Sequence, residues 1–156
     1  MSLKRKVYIV FSWALTLLIL SFIFSLSAQN AEESKELSDS LASKILQWIQ
    51  IYIDGELIRK FAHMIEFAAL SFSLGNSINA TWKTENSKIM AFAITVLCAA
   101  GDEIHQIFVP GRAFQTSDIL VDSLGALIGV LVWIVLLKII SKTGKRGNKD
   151  GSIETV

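Results

Sequence analysis

The stretch AAGDEIHQIFVPGR, residues 99–112, decides how this chain is read. It opens as the end of an apolar run, residues 89–101, of a kind that suits lipid. It then delivers two adjacent acids (Asp102 and Glu103), a histidine, a glutamine and, past Pro110, an arginine. A carboxylate at membrane depth costs at least ~2.5 kcal/mol on insertion scales. A membrane helix that ends in Asp102-Glu103 therefore needs polar company, and the rest of the chain must supply it.

Working outward, 156 residues allow one domain. An apolar content of 52 % against 19 % charged suits a helical membrane protein better than a soluble globule. A net charge of +1 gives no bulk attraction to nucleic acid, so none is expected as a partner. One cysteine, Cys98, makes neither a disulfide framework nor a thiolate cluster, and its apolar neighbours mark it as a small core filler.

Residues 7–26 carry no formal charge and are long enough to cross a hydrocarbon core of roughly 30 Å. A signal peptide shares the basic start at Lys4, Arg5 and Lys6, but its apolar region is shorter, about 7–15 residues. Residues 30–54 differ: Leu37, Leu41, Ile45, Trp48 and Tyr52 recur at helical spacing among polar residues. Asn30 can cap this amphipathic helix, with Glu33 three residues on. Two placements fit it: flat on the membrane surface, or packed as a lid. Residues 57–78, 88–109 and 119–140 read as three further spans. NATWKTENS (79–87) reads as a polar loop, VPGR (109–112) as a type II turn, and the basic stretch from Lys142 as a disordered tail. The expected fold is all-α: four transmembrane helices plus one extracytoplasmic amphipathic helix, with a membrane domain over 1–141 and a tail over 142–156.

Basic residues favour the cytoplasmic side of short loops. Both ends are basic, so both termini are expected to be cytoplasmic and the turn at Pro110 outside. Arg59, His63 and Glu66, at i, i+4 and i+7, then lie near the outer end of the second span on one face. Asp102, Glu103 and Gln106 lie at the outer end of the third. Asp118 and Asp122 share a face of the fourth with Gly125 and Gly129, acidic above and small below, which permits close helix contact. The intramembrane charge thus falls in one outer layer, and the inner halves read as lacking polar residues.

RKFAHMIEFAAL (59–70) and DEIHQIFVPGRAFQTSDILVDSLGALIG (102–129) resemble the signature segments of the VanZ-like membrane protein family, and FSLSAQ (24–29) is similar to its serine- and glutamine-bearing segment. The resemblance covers residues 7–140. It implies a multi-pass protein of the bacterial cell membrane and a link to teicoplanin resistance, for which the family is named. The family's polar positions fall on Arg59, Lys60, His63, Glu66, Asp102, Glu103, Gln106, Arg112, Asp118 and Asp122. Many members carry asparagine at the position of Asp122, and here an acid stands instead. Some members bear a phosphotransbutyrylase label, which an outward-facing pocket does not suit, because acyl-CoA chemistry is cytosolic.

Four readings of the polar layer stay open. In the first it recognises or modifies a cell-surface lipid or lipid-linked envelope precursor. Arg59, Lys60, Gln106, Arg112, Asp118 and Asp122 would bind substrate, and His63, Glu66, Asp102 and Glu103 are the candidate acids or bases. A membrane hydrolase or transferase acting on a phosphate-bearing lipid would fit, although no Ser-His-Asp spacing or phosphate-cradling glycine loop is present. In the second, non-catalytic reading, pairs such as Arg59–Glu66 and Arg112–Asp102 staple helices together. Three cations (Arg59, Lys60, Arg112) facing five acids (Glu66, Asp102, Glu103, Asp118, Asp122) leave that pairing incomplete. In the third, the excess acids with His63 and His105 hold a divalent metal, without a dense ligand pattern. In the fourth, a small ion or proton passes through, against the lack of inner polar residues. No cofactor follows from the sequence.

Overall fold

A computed structural model describes residues 1–49 and 54–150, with side chains for 1–48 and 54–142. Five helices follow in order: α1 (Leu3–Ser27), α2 (Ala31–Ile49), α3 (Gly55–Trp82), α4 (Ser87–Gln106) and α5 (Thr116–Asp150). The described residues contain no strand. The all-helical expectation holds, and Tyr52 and residues 151–156 lie outside the described residues.

By length and apolarity two helices qualify as membrane spans, α1 and the Thr116–Lys142 part of α5, where the sequence reading counts four. The shortfall in the other two has a local cause. The first turns of α3 hold Arg59, Lys60, His63 and Glu66, and the last turns of α4 hold Asp102, Glu103, His105 and Gln106. The residues that build the polar end dilute both helices, and in α3 Ser71, Ser73, Asn76, Ser77 and Asn79 dilute the far half as well.

α3 packs against each of the other four helices. Its partnership with α5 is parallel and close. A Cβ added at Gly125 would collide with the Met64 carbonyl oxygen, and one at Gly129 with the Ala68 carbonyl oxygen. Glycine at both positions lets two backbones approach where any side chain would hold them apart. α1 and α4 run the other way, so the C-termini of α1 and α4 meet the N-termini of α3 and α5 at one end. A core of Ile23, Phe67, Leu70, Leu74, Ile78, Ala91, Ala99 and Val130 fills the space between, with Cys98 partly buried against it as a small filler.

The other end corrects the expectation of an apolar inner half. Ser12, Thr16, Ser73 and Ser77 are buried between α1 and α3. The Thr16 hydroxyl lies 2.7 Å from Ser73 Oγ and 3.0 Å from Ser77 Oγ, and donates 3.0 Å to the Ser12 carbonyl. Hydroxyls satisfied by one another and by backbone read weakly as polar in a sequence scan. α3 also runs beyond the expected loop start at Asn79. The Arg5 guanidinium donates to the Ala80 and Thr81 carbonyls (3.1 and 3.4 Å), and Trp13 Nε1 donates 2.9 Å to Thr81 Oγ1. Lys83, left-handed at φ 50°, closes the helix by donating its N–H to the Asn79 carbonyl. The linker to α4 shrinks accordingly.

α2 begins as its sequence specifies: Asn30 Oδ1 accepts from the Glu33 N–H at 2.9 Å. Its packing face is not the apolar stripe. Ser34 and Ser38 are buried, whereas Leu37 and Leu41 stay nearly half exposed and Trp48 is 89 % exposed. Small residues let α2 lie close on α3, and its leucines are left beside that contact. The lid placement describes this packing.

Candidate functional site

The polar end is assembled by the meeting of four helix ends under α2. The VPGR turn forms as expected. Gly111 has φ 75°, and the Arg112 N–H donates 3.1 Å to the Val109 carbonyl. The Ala31 N–H donates 3.2 Å to the Pro110 carbonyl, which ties the start of α2 to the turn and brings Arg112 beneath it.

Arg59, Ala62, His63 and Glu66 of α3 and Arg112 of the turn line one cavity of about 60 Å³, roofed by Ser34, Leu37, Ser38 and Leu41 of α2 and closed by Leu26 and Gln29. The i, i+4, i+7 face of α3 therefore does converge with the arginine of the turn. Water needs roughly 10–15 Å³ on this measure, so the cavity has room for several molecules. His63 Nδ1 lies 3.7 Å from Glu66 Oε2. Burial, and then neighbouring Arg59, holds the Arg112 guanidinium below its ordinary pKa.

Beside this cavity lies a denser knot. Ser27 Oγ donates 3.0 Å to Asp102 Oδ2, and Gln106 Nε2 donates to both Ser27 Oγ (3.1 Å) and Asp102 Oδ2 (3.2 Å). The three side chains are buried. Sequence reasoning placed Asp102 and Gln106 here but missed Ser27. Its signal was present in FSLSAQ, at the end of an otherwise apolar helix.

Other expected site residues stand apart from the cavity. Glu103, 1 % exposed, accepts from the Gln115 N–H at 2.8 Å and so anchors the loop into α5. Lys60 pairs with Glu56 at 3.0 Å and lies 3.8 Å from Asp118. Neither Arg59–Glu66 nor Arg112–Asp102 closes to salt-bridge distance among the described residues. Asp122 is buried on α5 with Oδ1 unpartnered. His105 packs edge-on against Phe24, its ring centroid 6.0 Å away. Among the described residues no group of three or more His, Cys, Asp or Glu side chains is arranged to hold a metal ion.

Buried polar atoms normally find partners. Seven side-chain atoms among the described residues do not, and five of them belong to His63, Glu66, Asp102, Arg112 and Asp122. Among the described residues, the unmet hydrogen-bonding capacity is concentrated at this end. The VanZ/LLP1 family model matches residues 11–138 and so takes in all of these positions. The chain belongs to the VanZ/LLP1 family. No curated protein and no solved structure matches it. The VanZ/LLP1 match runs from within α1 to within α5, so Ser27, the two arginines and the glycine contact of α5 all fall inside it.

A second hollow adjoins the first. Leu18, Ile19, Phe22 and Ile23 of α1 and Ile65, Glu66 and Ala69 of α3 line a groove of about 450 Å³ that is apolar apart from Glu66. Glu66 thus borders both spaces.

Proposed function

We propose that this VanZ/LLP1 protein crosses the bacterial cell membrane four times, with both termini cytoplasmic, and that its polar end faces outward to recognise a phosphate-bearing envelope lipid or lipid-linked precursor. The observation that carries this reading is the position of Glu66, in the wall of a polar cavity and of an apolar groove at once. A ligand that fills both is amphiphilic. Its chain lies along Phe22 and Ile65, and its headgroup meets Arg59 and Arg112, whose planar guanidinium groups suit phosphate.

Four crossings are supported by where polarity points. Asp102, Glu103 and Gln106 of α4 are turned inward and buried, while Ile89, Leu97 and Ile104 stand at least half exposed. α1 and α5 present Phe11, Leu18, Phe22, Leu120, Leu131 and Val135 outward in the same way. Such surfaces suit lipid on all sides.

If the lipid is modified as well as held, Glu66 with His63 is the acid–base pair that shares the cavity wall with the arginines. Hydrolysis or headgroup transfer at the phosphate is the reaction class that pair serves. A role in glycopeptide resistance follows from family membership through the same lipid chemistry. The non-catalytic reading keeps support at Glu103, whose one described bond is to a loop N–H, and at the Lys60–Glu56 pair.

The test is retention of lipid by the purified full chain, read by native mass spectrometry after incubation with phosphatidylglycerol. Arg59→Gln/Arg112→Gln should reduce retention by removing the headgroup contacts, and Ala69→Trp should do so by filling the groove. Unchanged retention in both, with melting unaffected, would sink the reading.

A further inference from the structure

At the opposite end of the bundle, a cavity of about 250 Å³ opens between the α3–α4 linker and α5. Asn79, Glu85, Ser87, Lys88, Trp133 and Lys138 are among its lining residues. Two features give it an anion-binding character. Lys88 and Lys138 bring two cations from different helices, and neither forms a salt bridge among the described residues. The cavity lies at the N-terminus of α4, whose first turn holds no acid and whose cap residue Asn86 makes no side-chain cap bond. That end of a twenty-residue helix carries partial positive charge, with the Asn86 and Ser87 N–H groups already held by Thr84. Trp133, only 3 % exposed, forms part of the wall, and its unpartnered Nε1 is itself buried. Its ring is held in place by Gly75, where an added Cβ would come within 2.9 Å of it. Glu85 is the single acid in the lining.

We propose that this cavity is a second ligand site, which binds a phosphate-bearing anion between Lys88 and Lys138. The headgroup of an anionic lipid and a soluble phosphate compound share that chemistry. The site does not depend on the outer pocket for its geometry. Only its placement in the cytoplasmic leaflet rests on the orientation proposed above. Compact ammonium groups at the lipid boundary are suited to such a role, since their stems lie along apolar surface while the charge reaches the headgroup layer.

The experiment uses the full chain in detergent, in an Arg59→Gln/Arg112→Gln background, so that loss of the outer pocket does not confuse the reading. Native mass spectrometry compares retention of phosphatidylglycerol with that of phosphatidylcholine, and a melting assay is run with inorganic phosphate. Lys88→Gln/Lys138→Gln should lower phosphatidylglycerol retention by about tenfold or more, the scale of lost charge-assisted hydrogen bonds. If phosphate leaves melting unchanged, the ligand is a lipid headgroup. If phosphate raises the melting temperature only when both lysines are present, the ligand is a soluble phosphate compound. Glu85→Gln should increase binding, a gain that misfolding does not produce. Equal retention with and without the lysines, no lysine-dependent response to phosphate, or no gain from Glu85→Gln would overturn the proposal.

Discussion

Ser27 at the end of α1 donates a 3.0 Å hydrogen bond to Asp102 near the end of α4, and Gln106 reaches both residues from one turn further on. Through it α1 and α4 are joined by a buried polar knot as well as by apolar contact. Removing one partner leaves the others with capacity that no water inside a packed bundle readily meets. Ser27→Ala is expected to lower stability by about 1–2 kcal/mol. Thermal unfolding in detergent of Ser27→Ala, Asp102→Asn and the double variant measures it. Strict additivity of the two single effects would show that the bond contributes nothing of its own.

The glycines of α5 make a sharper prediction because the structure supplies its own control. Gly129→Val drives two methyl groups and a Cβ into the Ala68 carbonyl of α3, and Gly125→Val does the same at Met64. Each should cost about 1–3 kcal/mol or more and reduce the amount of protein in the membrane. Gly101 lies in α4 with nothing within 4 Å of its added Cβ. Gly101→Ala should instead stabilise by roughly 0.5–1 kcal/mol through helix propensity. Equal losses at all three positions would mean that the α3–α5 contact is not the one described.

Glu103 and Glu66 test the difference between an anchor and a site. Glu103 accepts from a loop N–H, which an amide oxygen can also do. Glu103→Gln should therefore be mild, and Glu103→Ala should cost about 1–3 kcal/mol. Glu66 has a buried oxygen with no hydrogen-bond partner, and its His63 neighbour lies 3.7 Å away. Glu66→Gln should leave melting nearly unchanged while lowering lipid retention. If it is Glu103→Gln that loses lipid and Glu66→Gln that melts early, the two roles are exchanged.

How much of this was legible beforehand depended on the kind of signal. Apolar runs and charge placement located α1, α3, α4 and α5, because both are properties of single residues in order. That Gly125 and Gly129 make a close helix contact was legible as a small-residue face, though not that α3 is the partner, and Asn30 and the VPGR turn were legible as local backbone chemistry. The convergence of Arg59, His63 and Glu66 on Arg112 was legible once helix spacing was combined with an antiparallel order. Thr16, Ser73 and Ser77 were not, because a lone hydroxyl in an apolar helix reads the same whether it satisfies itself or a neighbour. Which face of α2 packs was left open for a related reason. Hydrophobic periodicity finds the leucines, but a close helix contact selects the small residues Ser34 and Ser38. The extent of α3 was underestimated because its last turn is held by Arg5 from another helix.

Orientation can be tested without reference to any ligand. Thr84 lies in the linker before α4 and Gln115 in the loop before α5, at opposite ends of the bundle. Both positions lie beyond the helices they join, Gln115 exposed and Thr84 partly exposed, so a cysteine at either can meet a charged thiol reagent. The native Cys98 is partly buried against the core and is replaced by alanine for this experiment. With both termini cytoplasmic, an impermeant reagent added to intact cells should label Gln115→Cys and spare Thr84→Cys until the membrane is opened. The reverse pattern would place the arginine-lined cavity inside the cell, where an envelope lipid presented on the outer face could not reach it. Labelling of both positions in intact cells would show that α4 does not cross.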